Sequence, residues 1–152
     1  MWLSLILLAD FSGTWALDRD ASESMEVLLA ETQDLSWIER KMMGSVDINH
    51  VIVQTDEAVV VDVVTDVFTR SSTLQPDGEW RDVTMRSGPG KQRVWWEGEI
   101  LVTESKGQLA DGTAATYTTR RWTEGTTMYL QLTIVSDDGR SWKAKRVFKK
   151  TE

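Results

Sequence analysis

A chain of 152 residues is long enough for one domain with a sizeable hydrophobic core, and its 41% apolar and 27% charged residues are ordinary for a globular protein. The absence of cysteine excludes a disulfide framework, a thiolate metal site and a cysteine nucleophile. A formal net charge of −7 argues against a general nucleic-acid-binding protein, and we interpret the six basic residues in 140–152 as a solvated face.

The first ten residues, MWLSLILLAD, form an apolar segment without a basic residue. The segment is far too short for a transmembrane helix and short for the apolar region of a signal peptide. It fits a clipped or marginal signal peptide, an added strand or lid, or an exposed tail, and we favour the signal segment. We therefore divide the chain into an N-terminal extension, 1–10, and a single domain, 11–152.

Residues 20–44 carry a helical pattern. Apolar residues recur at helical spacing at Met25, Leu28 and Leu29, and again at Leu35, Ile38 and Met42. The sequence TQD, 32–34, interrupts this pattern, and Gly44 is a stop signal. The segment therefore predicts two short helices joined by a tight turn.

Most of the remaining sequence has strand character, beginning with FSGTWALD near the start. Turn sequences recur at short intervals: PDGE (76–79), SGPGK (87–91), EGE (97–99), KGQLADG (106–112), TEG (123–125) and SDDG (136–139). About ten strands joined by hairpins hide their edges best by closing into a barrel. We predict a mainly β fold, a ten-stranded antiparallel up-and-down β-barrel with a helix-turn-helix lid between its first two strands and a cavity inside.

The last strand candidate, RSWKAKRVFKK (140–150), has two unlike faces. Lysines dominate one face, whereas Trp142, Ala144, Arg146 and Phe148 alternate onto the other, which is expected to face the core. A buried guanidinium is costly unless a negative group meets it. We therefore expect Arg146 to meet either a carboxylate of the protein or an anionic ligand.

The order of these motifs resembles the intracellular fatty-acid-binding protein family, within the calycin group of small barrels. The matching pieces are FSGTW, the helix pair, DGEWRD, VWWEGEILV, RRWTEG and the terminal KRVF, and they span residues 11–150. GTW also occurs in lipocalins, but a lipocalin would be expected to carry a C-terminal helix and to lack the early helix pair.

The resemblance implies a barrel that holds one fatty acid, retinoid or bile acid, with the helix pair capping its mouth. It also implies that the ligand carboxylate meets two inward arginines and a tyrosine, one arginine and the tyrosine forming an Arg-x-Tyr on the last strand. That pattern falls on Arg146 and Phe148. Phe148 lacks the hydroxyl, which removes one hydrogen-bond donor and favours a looser, water-bridged headgroup site or a different anion.

The second arginine implied by the resemblance lies two strands earlier and falls on Arg120 in TTRRW. Period-two alternation places Thr118 and Trp122 on the same strand face, so all three are expected to border the ligand. Arg121 alternates onto the opposite face, and a register error of one residue would exchange the roles of the two arginines.

Apolar residues are expected to complete the binding site. Met128, Leu130 and Leu132 alternate on one strand and are expected to line the interior wall. Trp37 on the second helix and Phe68 in a hairpin turn are expected to border the mouth, where ordinary packing of the helix on the barrel is the alternative.

The sequence gives little sign of catalysis. His50 is the single histidine, and with dispersed acids and no cysteine it indicates no metal site. No serine lies in a nucleophile motif, and no glycine-rich loop leads from a strand into a helix. We expect His50 to be a strand residue with a satisfied hydrogen bond, and we expect no cofactor.

Together these patterns predict a non-enzymatic carrier of a hydrophobic small molecule, a long-chain fatty acid or a similar apolar carboxylate. We expect a cytoplasmic monomer with no nucleic-acid partner and at most transient membrane contact, or a secreted or periplasmic protein if residues 1–10 are a signal segment. The alternatives are an enzyme or photoprotein on the same scaffold, and a structural barrel with a filled interior in which Arg146 pairs with an internal acid.

Overall fold

The computed structural model describes residues 9–43 and 46–151, apart from the side chains of residues 40, 42 and 43. Two helices lie within these residues, α1 (Glu26–Thr32) and α2 (Trp37–Met43). The same residues contain ten strands: β1 (Gly13–Leu17), β2 (Asn49–Gln54), β3 (Val59–Val64), β4 (Thr69–Leu74), β5 (Arg81–Met85), β6 (Gly88–Glu97), β7 (Ile100–Gln108), β8 (Ala114–Glu124), β9 (Thr127–Ser136) and β10 (Ser141–Lys150). Residues 1–8 of the predicted extension, and the predicted helix stop at Gly44, lie outside the described residues.

All ten described strands belong to one antiparallel sheet with the order β4-β3-β2-β1-β10-β9-β8-β7-β6-β5. Hairpin neighbours therefore pair along the chain, and β1 closes on β10. Strands β4 and β5 are the two edges of the sheet, and we call the gap between them the seam. The predicted set of ten antiparallel strands, with a helix pair between the first two, is confirmed.

The sheet curls around one interior, because residues from strands near its opposite edges meet in one cluster. Val61 of β3 and Val94 of β6 are 4% and 3% exposed and belong to the same core as Trp15 and Phe148. In a flat sheet these two strands would lie more than about 30 Å apart, since neighbouring strands are spaced by about 4.8 Å. We call the face that carries these core residues the inner face.

Helix α1 covers one end of the interior. Leu28 is 4% exposed and packs with Leu109, Ala115, Ile134 and Ala144, which come from the β7–β8 connection and strands β8 to β10. Burying a leucine side chain contributes about 1.5–3 kcal/mol, so this contact fixes a helix of seven residues that would be unstable alone. The predicted lid position of the helix pair follows from this contact.

Phe11 and Trp15 tie the start of the described chain to the barrel. Both are almost fully buried, and the Trp15 indole donates a hydrogen bond to the Phe11 carbonyl at 2.9 Å. The Phe11 amide donates to Gln54 Oε1, and Gln54 Nε2 donates to the Ala9 carbonyl, each at 2.8 Å. The FSGTW motif is therefore a structural anchor within the core.

The turn predicted at SGPGK is present but begins one residue earlier and is shorter, because it consists of Arg86 and Ser87 and Gly88 already begins strand β6. A side chain at Gly90 would put its Cβ 2.6 Å from Met85 Sδ and 2.7 Å from the Lys106 carbonyl oxygen. The glycine is therefore needed for close strand packing rather than for a turn. Pro89 is tolerated because pairing with β7 begins only at Lys91.

Candidate ligand-binding site

Arg121 of β8 is a buried cation on the inner face. The residue is 7% exposed, and its Nη1 lies 3.2 Å from His50 Nδ1 and 3.4 Å from Met128 Sδ. No ion pair within the described part of the chain reaches Arg121. Burial lowers the pKa of Arg121 to about 10, so the guanidinium is still charged at neutral pH.

His50 of β2 lies beside this guanidinium and is 6% exposed. Its ring centre is 4.3 Å from that of Phe148, with the planes tilted by 33°. Burial, followed by the positive charges of Arg121 and Arg146, lowers the pKa of His50 to about 3. The imidazole is therefore neutral at physiological pH. The expected hydrogen bond of His50 exists, and its partner is the buried arginine.

Arg146 of β10 also lies on the inner face, as predicted. Its Nη1 donates a hydrogen bond to the Glu23 carbonyl at 2.7 Å, and burial together with the charge of Arg19 lowers its pKa. Arg121 and Arg146 both pair with Leu130, one from each side, so their Cα atoms are about 10 Å apart along one row of the sheet. No described carboxylate is within ion-pair distance of Arg146.

The strands separate their charges by face. Alternation from the core residues places every strand carboxylate on the outer face, namely Asp62, Asp82, Glu97, Glu104 and Glu124. The inner face carries four arginines, namely Arg70, Arg81, Arg121 and Arg146. A chain with a net charge of −7 thus has, among its described strands, an inner face whose charged residues are all cationic.

Arg120, Thr118 and Trp122 do not face the interior, so their predicted orientation is wrong. Arg120 forms an ion pair of 3.5 Å with Glu97 on the outer face. Trp122 stacks on Tyr129 there, with ring centres 5.3 Å apart. The physical reason is the pairing of β8, because Leu101 and Leu130, which belong to or pack against the core around Trp15, lie opposite Arg121.

The predicted wall residues do lie inside. Met128 and Phe148 are 0% and 2% exposed within the core that contains Trp15, and Leu130 packs against the same core. Leu132 packs against the second cluster, beneath α1. The apolar wall around Arg121 is therefore continuous from β9 to β10.

Two adjoining cavities lie between the helices and the inner face, and they share Leu29, Leu35 and Ile48. One has a volume of about 580 Å³ and reaches Arg146. The other has a volume of about 570 Å³ and opens at the seam, where its lining includes Phe68. We call this pair of spaces the mouth cavity, and an apolar chain of moderate length fits its volume.

The two residues predicted at the mouth behave differently. Phe68 is 49% exposed and lines the mouth cavity, in agreement with its predicted position. Trp37 is 70% exposed at the first position of α2 and is not among the residues that line that cavity. A helix of seven residues buries little of its surface, and here the first turn projects into solvent.

A metal site or a membrane-spanning helix among the described residues would indicate a different function. Within the described residues, no three His, Asp or Glu side chains are placed to hold a metal ion. The helices described here are also too short and too polar to span a bilayer.

This architecture, a ten-stranded barrel under a helix pair, is the fold of the fatty-acid-binding proteins. A structure described as the REP1-NXSQ fatty acid transporter has a TM-score of 0.74 at 17% identity, covering 94% of this chain and 97% of that one. The fatty-acid-binding protein from the brain of Drosophila melanogaster has a TM-score of 0.71 at 22% identity, covering 92% and 99%. Human cRBP IV has a TM-score of 0.69 at 22% identity, covering 94% and 99%. No protein-family model and no curated protein sequence matches the chain.

Proposed function

We propose that this protein binds and carries, without catalysis, an apolar molecule with one anionic group, and that a long-chain fatty acid is its type of ligand. The observation on which the proposal rests is the pair Arg121 and Arg146, two inward cations that no described carboxylate meets. Arg121 is buried, and a desolvated guanidinium costs several kcal/mol unless an anion offsets it, while Arg146 is half-buried beside the mouth cavity. A ligand carboxylate between them would supply that anion with charge-assisted hydrogen bonds.

The remaining affinity would come from the apolar tail. Burial contributes about 0.8 kcal/mol for each methylene group, and the mouth cavity offers an apolar path away from Arg146. Proteins of the same fold support this assignment at a general level, since two of them are described as a fatty acid transporter and a fatty-acid-binding protein. The monomeric state, the cytoplasmic location and transient membrane contact stay predictions.

A structural barrel is the second candidate, and one observation favours it. Arg146 donates to the Glu23 carbonyl and Arg121 contacts His50, so each arginine has a partner within the protein. A neutral partner satisfies hydrogen bonds but does not neutralise the charge, which is why we prefer the carrier.

A titration with matched variants separates these functions. Palmitic acid and its methyl ester would be titrated into the wild type and into Arg121→Met, Arg146→Met and Arg120→Met, with binding followed by tryptophan fluorescence. Methionine keeps the apolar stem of arginine, and replacing a buried ion by a residue of similar volume is often neutral or stabilising. Arg120 is the control, because it lies next in sequence but on the outer face.

For a carrier we expect the wild type to prefer the acid over the ester. Arg121→Met and Arg146→Met should each remove about tenfold or more of that preference, since hydrogen bonds to charged groups contribute about 1.5–3 kcal/mol. Arg120→Met should bind as the wild type does. No binding of either compound by the wild type would instead support the structural barrel, and equal binding of acid and ester would show that the two arginines do not bind the carboxylate.

A further inference from the structure

We infer that His50 is the third polar contact for the anionic group of the ligand, and that it donates the hydrogen bond for which Phe148 has no hydroxyl. The inference deepens the proposed function and rests on it. The two rings are in contact, with centres 4.3 Å apart, so the imidazole occupies the space beside the phenyl group at the level of Arg121. A donor carried by His50 is thus available at the place where the last strand lacks one.

The hydrogen bond to Arg121 fixes the tautomer of the imidazole. A guanidinium has donors and no acceptor, so His50 Nδ1, at 3.2 Å from Arg121 Nη1, must accept. A neutral imidazole carries one proton, which then resides on Nε2. The arginine therefore turns His50 into a donor with a defined N–H, and this donor lies in the same buried region as the two cations.

The surroundings keep this donor neutral. Arg121 from β8 and Arg146 from β10 are the charged groups that affect His50, while Phe148 and Met128 contribute apolar contacts around the pair. A second proton on the ring would add a third positive charge beside the buried Arg121 and the half-buried Arg146. His50 therefore contributes a hydrogen bond without adding charge, which suits a singly charged carboxylate between two arginines.

In the competing interpretation His50 has a purely structural role: it accepts a hydrogen bond from Arg121 and makes no contact with a ligand. The two roles use different atoms of the ring, Nδ1 for the structural role and Nε2 for the ligand. Asparagine and glutamine separate them, because the amide of asparagine reaches roughly the position of Nδ1 and that of glutamine roughly the position of Nε2. The variants His50→Asn and His50→Gln are therefore a matched pair.

Affinity for palmitic acid and for its methyl ester would be measured with both variants. We expect His50→Gln to keep the acid preference within a few-fold of the wild type. We expect His50→Asn to lose about ten- to a hundredfold of its acid affinity, the range for a hydrogen bond to a charged group, with the ester unaffected. Equal acid affinity in His50→Asn and the wild type would overturn the inference.

A second measurement needs no variant, because the chain has a single histidine. In a nitrogen-15 imidazole spectrum of the wild type, the proton should reside on Nε2, and the Nε2–H signal should shift on adding the acid but not the ester. If the wild type binds the acid and this signal does not move, His50 makes no ligand contact and only the inference fails. If the wild type binds neither compound, the proposed function itself fails.

Discussion

Arg120 and Arg121 are adjacent in sequence and have opposite environments. Arg120 lies on the outer face with 42% of its side chain exposed and pairs with Glu97. Arg121 lies on the inner face, is 7% exposed and has a neutral histidine as its hydrogen-bond partner. An exposed ion pair contributes about 0–1 kcal/mol, whereas a buried cation costs several kcal/mol until an anion meets it. Stability therefore accounts for Arg120 but not for the buried charge of Arg121, which we explain by ligand binding.

The same contrast extends over both faces. On the outer face Arg93 pairs with Glu104 at 2.9 Å and lies over the rings of Trp80 and Trp95 at 4.6 and 4.9 Å. The positive charge of Arg93 is therefore stabilised by a carboxylate and by aromatic rings of the same chain. The inner face contains Arg121 and Arg146 without described carboxylates. Arg81, which is also on the inner face, pairs with Asp77, so the proposed carrier function rests on Arg121 and Arg146 and not on the whole inner face.

The largest effect is expected from a substitution that places a carboxylate beside Arg121 and Arg146, because it removes the difference in charge pairing between the two faces. Leu130 pairs with both Arg121 and Arg146, so Leu130→Glu would place an acid between them. An internal ion pair competes with any ligand anion, and losses of 2–5 kcal/mol are typical when a buried charge loses its partner. We expect acid affinity to fall on the order of a thousandfold, measured by fluorescence titration, while the ester binds nearly as before.

The control for this variant is Gln131→Glu, which adds the same charge one residue further along the chain. Gln131 pairs with Arg120 and therefore faces outward. We expect acid binding unchanged from that of the wild type. Undiminished acid binding in Leu130→Glu, with the protein folded by circular dichroism, would mean that the two inward arginines do not hold the ligand.

Helix α1 also has neighbouring residues with opposite exposure, one facing the core and one facing solvent. Leu28 is 4% exposed and Val27 is 67% exposed. Leu28→Ala should lower the free energy of unfolding by about 2–5 kcal/mol, because it leaves a cavity beneath the helix. Val27→Ala should change it by less than about 0.5 kcal/mol. Urea denaturation measures both, and similar values for the two variants would show that α1 does not cover the core.

Most of the fold could be predicted from local signals. Period-two alternation and turn residues define the hairpins, and the helical spacing before β2 defines the lid. What local signals leave undecided is how one strand is offset against the next, since β8 carries threonine, an arginine and an aromatic residue on each face. Strand offset is set by the exact turn residues and by pairing over a distance.

The resemblance predicted Arg120 inside, and the offset of β8 against β9 is what places Arg121 there instead. A turn at 123–125 would pair Arg120 with Met128, which is an inner residue. In the structure Glu124 pairs with Thr127, so the turn is Gly125–Thr126 and Arg121 falls opposite Leu130. Gly125 has φ +61°, the conformation that such a two-residue hairpin turn requires, and this glycine was the signal for placing the turn correctly.

His50 could not be assigned to the interior from sequence, because the residues on both sides of its strand are apolar. Val51 and Val53 alternate with His50 and Ile52, and either pair is a reasonable core face. The structure buries His50 and Ile52 and leaves Val53 58% exposed. The neighbours that give His50 its role lie far along the chain, at Arg121 and Phe148, and become visible only once the strands are paired.

The free energy of unfolding should depend on pH through the buried His50. His50 has a folded-state pKa of about 3 against an ordinary value of 6.5, so the unfolded chain binds more protons between these values. Stability should therefore fall as the pH is lowered from about 6.5 towards 3, by up to about 1.4 kcal/mol per pH unit. His50→Gln should lack this contribution in urea denaturation at a series of pH values.

An exposed acid in the β7–β8 connection provides the contrast for that series. Asp111 accepts hydrogen bonds from Thr113 and pairs with Arg140, which lowers the pKa of its carboxyl to about 2 from 3.8. Its contribution is present above about pH 4 and is lost only as the pH falls further. Asp111→Asn should therefore follow the wild type between pH 6.5 and 4. A wild type whose stability is flat over that interval would show that His50 is not buried as a neutral ring.

The smallest change in the free energy of unfolding is expected for the substitution of Arg120 on the outer face. Arg120→Met removes an ion pair of 3.5 Å whose members are 42% and 46% exposed, so the free energy of unfolding should change by less than about 1 kcal/mol. The difference between variant and wild type should shrink further in 1 M salt, where charges are screened beyond about 3 Å. Urea denaturation at low and high salt measures it. A larger, salt-independent loss would mean that Arg120 stabilises the barrel through packing over Val102, and that the outer face depends on more than exposed ion pairs.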